Sequence, residues 1–378
     1  MSASAGSRSD GRRVCVVGAG FFSQFHLDGW QQVSGASVAA LCDPDQAKAK
    51  ALAERFGLPT VYADVATMLD TEQPDLVDVV TPPGSHRAVL EQVFDRGLPA
   101  ICQKPFGVDF AQAQALAQAA EAAQVALIVH ENFRFMPWYR EARRWIDAGE
   151  LGTPHNIYFR LRPGDGQGPQ AYLDRQPYFQ TMPRLLVAET AIHFIDTFRY
   201  LMGDVQAVVA RLRRLNPAIA GEDCALICFE FDSGAAGVFD GNRLNDHVAS
   251  NPRRTMGEMW LEGSRGVMRL DGEGRLWWKP HRAEEREHIY DRGQDTGFGG
   301  GACGALQQHV IRGLDGLQPL ENTAQAYLRN LQVQEAVYAS HACGQRIVID
   351  GFVPPAAAVR PVFPVSSTVS LTNPQEIP

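Results

Sequence analysis

Residues 14–23 read VCVVGAGFFS, and the next apolar run, VAALCD at 38–43, ends in an acid. A short β-branched strand (Val14, Val16, Val17) runs into Gly18 and Gly20 and then into an amphipathic, helix-like stretch. Gly18 permits a tight strand-to-helix turn, and Gly20 lets a pyrophosphate approach the backbone at the helix N-terminus. Phe21 and Phe22, next along the turn, are counted with the cofactor contacts. Asp43 follows about 20 residues on at the end of a second strand, where a carboxylate can hydrogen-bond both adenosine-ribose hydroxyls. A carboxylate there repels a 2′-phosphate, and Pro44 and Asp45 bring no cation behind it, so the pattern predicts NAD rather than NADP. Ser23 stands at the third small position of the fingerprint, where Gly or Ala is usual.

From 13 to about 130 strand and helix signals alternate, the pattern of an α/β domain with a parallel sheet covered on both faces. Strands are predicted at 13–18, 37–42, 76–80, 99–102 and 125–130, with Asp109 capping a helix over 110–123. Thr81-Pro82-Pro83 ends the third of these strands, with Ser85 expected to cap the next helix. After 136 the pattern changes. A helix (138–148) leads through the strand LGTPHNIYFRLR into a Gly/Pro/Gln-rich loop at 163–183, and an amphipathic helix follows at about 187–202. Strand-like runs at 205–214, 222–231, 235–243, 256–262, 266–271 and 274–279 then read as one large, mostly antiparallel open sheet. Helices at 303–315 and 323–342 close the chain. The expected division is a disordered extension (1–12), a Rossmann domain (13–135), an α+β substrate and oligomerisation domain (136–352) and a Pro/Val-rich tail (353–378).

The 378 residues, 45% hydrophobic, suffice for about two packed domains. A net charge of −8 argues against nucleic acid or an acidic membrane surface as a partner. Seven scattered cysteines, mostly in strand-like runs, fit reduced, buried thiols in the cytoplasm. Cys224 and Cys228 lie in an alternating strand, so core packing outweighs a metal site, and no metal is expected. No stretch approaches the roughly 20 apolar residues of a membrane span.

Three strings carry chemistry. ICQKPFG (101–107) places Lys104 directly after a buried strand, aimed into the crevice at the strand ends. VHENFRF (129–135) puts Glu131, Asn132 and Arg134 at an apolar strand-to-helix junction that a plain core would not choose. In LLVAETAIHFIDTFRYLMG (185–203), Glu189, His193 and Asp196 at i, i+4 and i+7 share one α-helical face, making His193 a base candidate flanked by two carboxylates.

Together these strings resemble the Gfo/Idh/MocA oxidoreductases, over roughly residues 13 to 350. The family's Gly-rich turn, T-P-x-x-x-H, E-K-P and D-x-x-x-H followed by D stand here as GAGFFS, TPPGSH, QKP and ETAIHFID. The resemblance implies a Rossmann domain followed by an α+β domain whose open sheet often joins subunits, hence a homodimer or homotetramer. It also implies hydride transfer between a sugar or polyol hydroxyl and a nicotinamide. Lys104, Glu189 and His193 would then surround the reacting carbinol, with His193 as general base and Lys104 polarising the oxygen. Thr81, Pro82, His86, Gln103, Lys104 and Asn132 would join Gly18, Gly20 and Asp43 around the cofactor. Asn132, Arg134, Asp165, Tyr178 and Arg184 are the substrate-contact candidates, the two arginines being suited to a carboxylate.

Two positions depart from the family pattern. Gln103 replaces the usual glutamate, and Glu189 the usual aspartate, which extends that carboxylate by one methylene. CQKPF and VHENFR look most like the branch containing D-apiose dehydrogenase and related aldose dehydrogenases. Two rival activities sit on the same scaffold: transient oxidation followed by elimination of a glycosidic substituent, and a non-catalytic NAD or sugar sensor.

Overall fold

A computed structural model describes residues 11–293, 298–355, 361 and 363. Residues 1–10 of the expected extension and nearly all of the expected tail lie outside the described residues. The first sheet contains β1 (Arg12–Val17), β2 (Ala36–Cys42), β3 (Val61–Tyr62), β4 (Leu76–Val79), β5 (Ala100–Gln103) and β6 (Leu127–His130). All six are parallel, in the order β3-β2-β1-β4-β5-β6. The connecting helices are α1 (Ser23–Trp30), α2 (Gln46–Phe56), α3 (Val65–Glu72), α4 (Pro83–Phe94) and α5 (Phe110–Ala122). β1 starts at Arg12, inside the stretch expected to be disordered, and β3 is a two-residue edge strand too short to register as a periodic pattern. Asp109 caps α5 as expected, accepting from the Gln112 N–H. Ser85 does not cap α4. The helix begins at Pro83, whose missing N–H suits the first turn, and the Ser85 hydroxyl bonds back to the Pro82 carbonyl.

The strand order reverses between β1 and β4, which opens the crevice where such sheets bind ligands. Gly18 closes that turn. Its φ is +111°, and a Cβ there would stand 2.5 Å from the Val80 carbonyl oxygen. Gly20 is different: a Cβ there meets nothing within 4 Å, because it faces the crevice.

The chain leaves the first sheet through α6 (Pro137–Asp147) and enters β7 (Pro154–Leu161), and α7 (Ile192–Met202) follows the long loop. A second sheet adds β8 (Val205–Arg213), β9 (Cys224–Phe231), β10 (Ala236–Asn242), β11 (Gly257–Gly263), β12 (Gly266–Leu270), β13 (Leu276–Pro280) and β14 (Arg286–His288). Its nine strands run β14-β13-β12-β11-β7-β10-β9-β8-β15, with β15 (Ile347–Val348) at the edge. Every pairing is antiparallel except β7 with β10. β14 and β15 escape the sequence pattern because they are short and lie at the edges. The inward residues of β8 and β9, such as Val208, Ala210, Ile227 and Phe229, are buried. Their alternates face outward, which explains why Cys228 is exposed where a buried thiol was expected; Cys343 is exposed as well. The last helices, α8 (Ala302–Leu314) and α9 (Ala324–Cys343), bridge the two sheets, α8 packing on α1 and α9 on both α5 and β8.

Gly18→Ala is expected to lose about 2–3 kcal/mol or more of folding stability, from the αL-side backbone strain and the carbonyl clash. Gly20→Ala should unfold within about 1 kcal/mol of the parent. Urea denaturation of the two variants checks the contrast.

Candidate active site

A cavity of about 530 Å³ opens at the strand ends of the first sheet and is closed on its far side by α7 and the second sheet. Gly20, Phe21, Phe22, Thr81, Pro82, Gln103, Lys104 and Asn132 line one wall, and Asp165, Tyr178, Glu189, His193 and Arg243 line the other.

His193 and Glu131 form the best-defined pair. The Nδ1 of His193 lies 2.5 Å from the Glu131 Oε1, and the ring stacks on Phe133 at 3.9 Å with the planes 3° apart. Glu131 is a carboxylate acceptor, so Nδ1 carries the hydrogen and Nε2 is left for the cavity. Glu131 itself is fully buried and also accepts from the Tyr327 hydroxyl at 3.1 Å, while its main-chain carbonyl accepts from Asn322. Burial pushes its carboxyl up, but the facing His193, with Lys104 behind it, outweighs burial and holds the group below the usual carboxylate range.

The spacing of Glu189, His193 and Asp196 implied a single α-helical face, and this is where the sequence reading departs from the structure. Residues Leu186–Ala191 form a π-helical turn before α7 begins. The wider turn breaks the i, i+4 alignment. The turn is anchored by Glu222, whose carbonyl and Oε1 accept from the N–H groups of Leu186 and Val187. Glu189 therefore reaches Lys104 rather than His193: Nζ stands 2.7 Å from its Oε1 and 2.9 Å from its carbonyl oxygen. Asp196 turns away into the core and binds Arg134 in a bidentate pair, with a further bond from Asn330. Glu131, one of the polar residues of VHENFRF, is the carboxylate that the histidine uses. The signal for it was a charged residue ending an otherwise apolar strand.

Gln103 spends its amide inside the protein. Its Nε2 contacts the Nε2 of His26 at 2.9 Å, and its Oε1 accepts from the Lys104 N–H. The Nδ1 of His26 in turn donates to Asp78, which also accepts from Trp30. One amide hydrogen and one lone pair remain on Gln103 for a ligand.

The remaining candidates divide by position. Asp43 sits beside the Gly turn, accepting from the N–H groups of Ala19 and Asp45, while Gly18 packs on Val80. His86 is buried against the Thr81 carbonyl, outside the cavity wall. Arg134 and Arg184 also lie outside it, contrary to their expected substrate contacts. Arg134 is held by Asp196 and Glu321; Arg184 pairs with Glu335 at 2.6 Å over the Tyr338 ring. Asp196 is buried behind Arg134 and Glu335 behind Arg184, so turning either guanidinium to the cavity would strand a buried carboxylate. The arginines that do line the cavity, Arg175, Arg243 and Arg253, were not picked out from sequence.

A dinucleotide turn with room above Gly20, beside a lysine at the end of β5 and facing a histidine on α7, defines a dinucleotide-binding protein. Residues 12–131 match the oxidoreductase family with an NAD-binding Rossmann fold, and residues 139–269 match the GFO/IDH/MocA C-terminal domain. The chain belongs to the GFO/IDH/MocA family, and its cofactor is NAD. It is 38% identical over 263 residues to a D-apiose dehydrogenase of Paraburkholderia graminis, covering 69% of this chain and 68% of that one. It is 29% identical over 241 residues to scyllo-inositol 2-dehydrogenase (NAD(+)) of Bacillus subtilis, covering 62% and 68%. An oxidoreductase from Agrobacterium radiobacter, crystallised with NAD+, L-tartaric acid and magnesium, superposes with a TM-score of 0.82 at 28% identity, covering 90% of this chain and 99% of that one.

A carboxyl whose value is lowered on folding stabilises the fold above its ordinary value, 4.5 for Glu131, and that contribution is lost as pH falls through the lowered one. Glu131→Gln should thus cost about 1–3 kcal/mol at pH 7 and clearly less at pH 3. Urea denaturation at both values measures this; equal losses would remove the charge pair as the cause.

Proposed function

We propose that the chain oxidises a CH–OH group of a sugar or polyol, with His193 as general base and Lys104 polarising the reacting oxygen. The observation that carries this reading is that Lys104 and His193 line one cavity beside the dinucleotide turn. The names of its D-apiose and inositol dehydrogenase relatives support the substrate class. NAD+, when bound, would supply the hydride acceptor. Gly18, Gly20 and Asp43 would hold its adenosine and pyrophosphate end, and Thr81, Pro82, Gln103 and Asn132 would stand beside its nicotinamide end. His193 takes the carbinol proton at Nε2, and Glu131 on Nδ1 fixes the ring and stabilises the imidazolium that forms. The Lys104 ammonium donates to the same oxygen and offsets its developing negative charge. Glu189 aims that ammonium by holding it through its carboxylate and its carbonyl oxygen, a role different from orienting the histidine. Asp165 and Tyr178 face the substrate end.

We further infer that copies of the chain associate through the outward face of the second sheet, as a dimer or tetramer. Val209, Cys228, Val238, Tyr158, Trp260, Arg269 and Trp277 form one cross-strand row on that face. A row this long of half-buried and exposed side chains, most of them apolar or aromatic, calls for a cover. All seven cysteines are free thiols, which suits the reducing cytoplasm. Among the described residues no helix is long and apolar enough to cross a membrane.

Lys104→Ala and His193→Ala should each retain NAD binding by calorimetry yet lose at least about a hundredfold in NADH formation on aldoses, inositols and aldonates. Near-normal turnover in the His193 variant would overturn its role, and a preference for NADP would overturn that of Asp43. Net release of NADH separates a dehydrogenase from an oxidation–elimination cycle, which returns the hydride. In light scattering the parent should elute as an oligomer and Trp260→Arg as a smaller species; a monomeric parent would exclude the sheet interface.

A further inference from the structure

The far wall of the cavity is more cationic than a neutral sugar requires. Arg243 is almost wholly buried, bound to Asp165 through Nη2 at 2.7 Å and Nε at 3.1 Å, and it donates through Nη1 to Thr190. Arg175 reaches the same carboxylate at 3.1 Å. Asp165 thus serves two guanidiniums and is held below the usual range by them, although burial opposes this. Arg253, exposed at the cavity mouth, completes the wall with no carboxylate within 4.0 Å among the described residues. Partial shielding from water, with Arg175 and Arg243 nearby, outweighs the more distant Asp165 and Asp174 and lowers its affinity for its proton. Among the lining residues four cations (Lys104, Arg175, Arg243 and Arg253) therefore stand with two carboxylates, Asp165 and Glu189, both already engaged, while Asp174 lies further off from Arg253.

Holding like charges together in a partly desolvated wall costs free energy that a hydroxyl group returns only weakly. A carboxylate returns it through charge-assisted, bidentate bonds. We propose that Arg253, assisted by Arg175, forms a carboxylate subsite, and that the substrate is a polyhydroxy acid with its carboxylate here and its reacting carbinol between Lys104 and His193. Tyr178, half exposed beside Glu189 and Arg175, is placed to meet hydroxyls between the two ends. This inference rests on Lys104 and His193 being the redox centre.

The test pairs neutral and acidic substrates of matched hydroxyl pattern, D-glucose with D-gluconate and D-glucuronate and D-galactose with D-galactonate, on the full chain with NAD+. The acids should exceed their neutral partners at least about tenfold in kcat/KM, and Arg253→Gln should raise the KM for an acid at least tenfold while moving its kcat little. Arg253→Lys should recover part of the loss, because a point charge remains. Calorimetry of gluconate on the NAD-loaded protein supplies a readout free of turnover. Gluconate binding that weakens tenfold in Arg253→Gln without NADH formation sustains the subsite and overturns the redox reading. NADH formation from neutral sugars, with acids indifferent to Arg253, overturns the subsite and leaves the dehydrogenase standing. Absence of both binding and turnover overturns both.

Discussion

A carboxylate buried without any solvent contact, Glu131, sets the terms for the rest of this molecule. Removing an isolated carboxylate from water costs several kcal/mol even after relaxation, so the fold must bring partners to it. It brings them from separate elements: His193 from α7, the Tyr327 hydroxyl from α9, and the N–H of Phe133 from the turn after β6. Satisfying one charge thus pins the end of the first sheet to the helix that backs the second. The distance between the dinucleotide turn and the histidine follows from that requirement.

The same logic repeats on either side. Arg134, just after β6, is matched by Asp196 on α7 and through it by Asn330 on α9. Lys104, just after β5, is matched by Glu189 in the π-helical turn. Each pair has one member from the C-terminal edge of the first sheet and one from the segment 189–196. α7 cannot slide along that edge without separating several ion pairs that are partly or wholly shielded from water. Its position is held more stiffly than apolar packing of Phe194 and Phe198 alone would hold it.

Much of this was legible in the chain, for identifiable reasons. β-branched runs punctuated by Gly18 and Gly20, with Asp43 at the right distance, mark the parallel sheet and its cofactor end because period, turn chemistry and charge agree there. Alternation along β8 to β13 marks the open sheet equally well. What was not legible is pairing. Helical spacing assigned His193 the wrong carboxylates because it assumed 3.6 residues per turn through a segment that widens at 186–191. Arg134 and Arg184 read as substrate ligands since a sequence does not reveal which acids lie opposite in the core. Arg243 closed an expected strand and Arg253 stood in a loop-like stretch, and neither position singled its residue out.

Gln103 carries a consequence of a different kind. Asp78 takes the Nδ1 hydrogen of His26, so the Nε2 of that ring is an acceptor and requires a donor at 103, while the Lys104 N–H requires an acceptor at the same residue. A side-chain amide meets both demands with a neutral imidazole. A glutamate at 103 has no hydrogen to offer, so it would pair with His26 only if the buried ring carried a second proton. Residues 26 and 103 therefore act as one hydrogen-bonded unit, and an exchange at 103 alone would force the buried imidazole of His26 to find its Nε2 partner again.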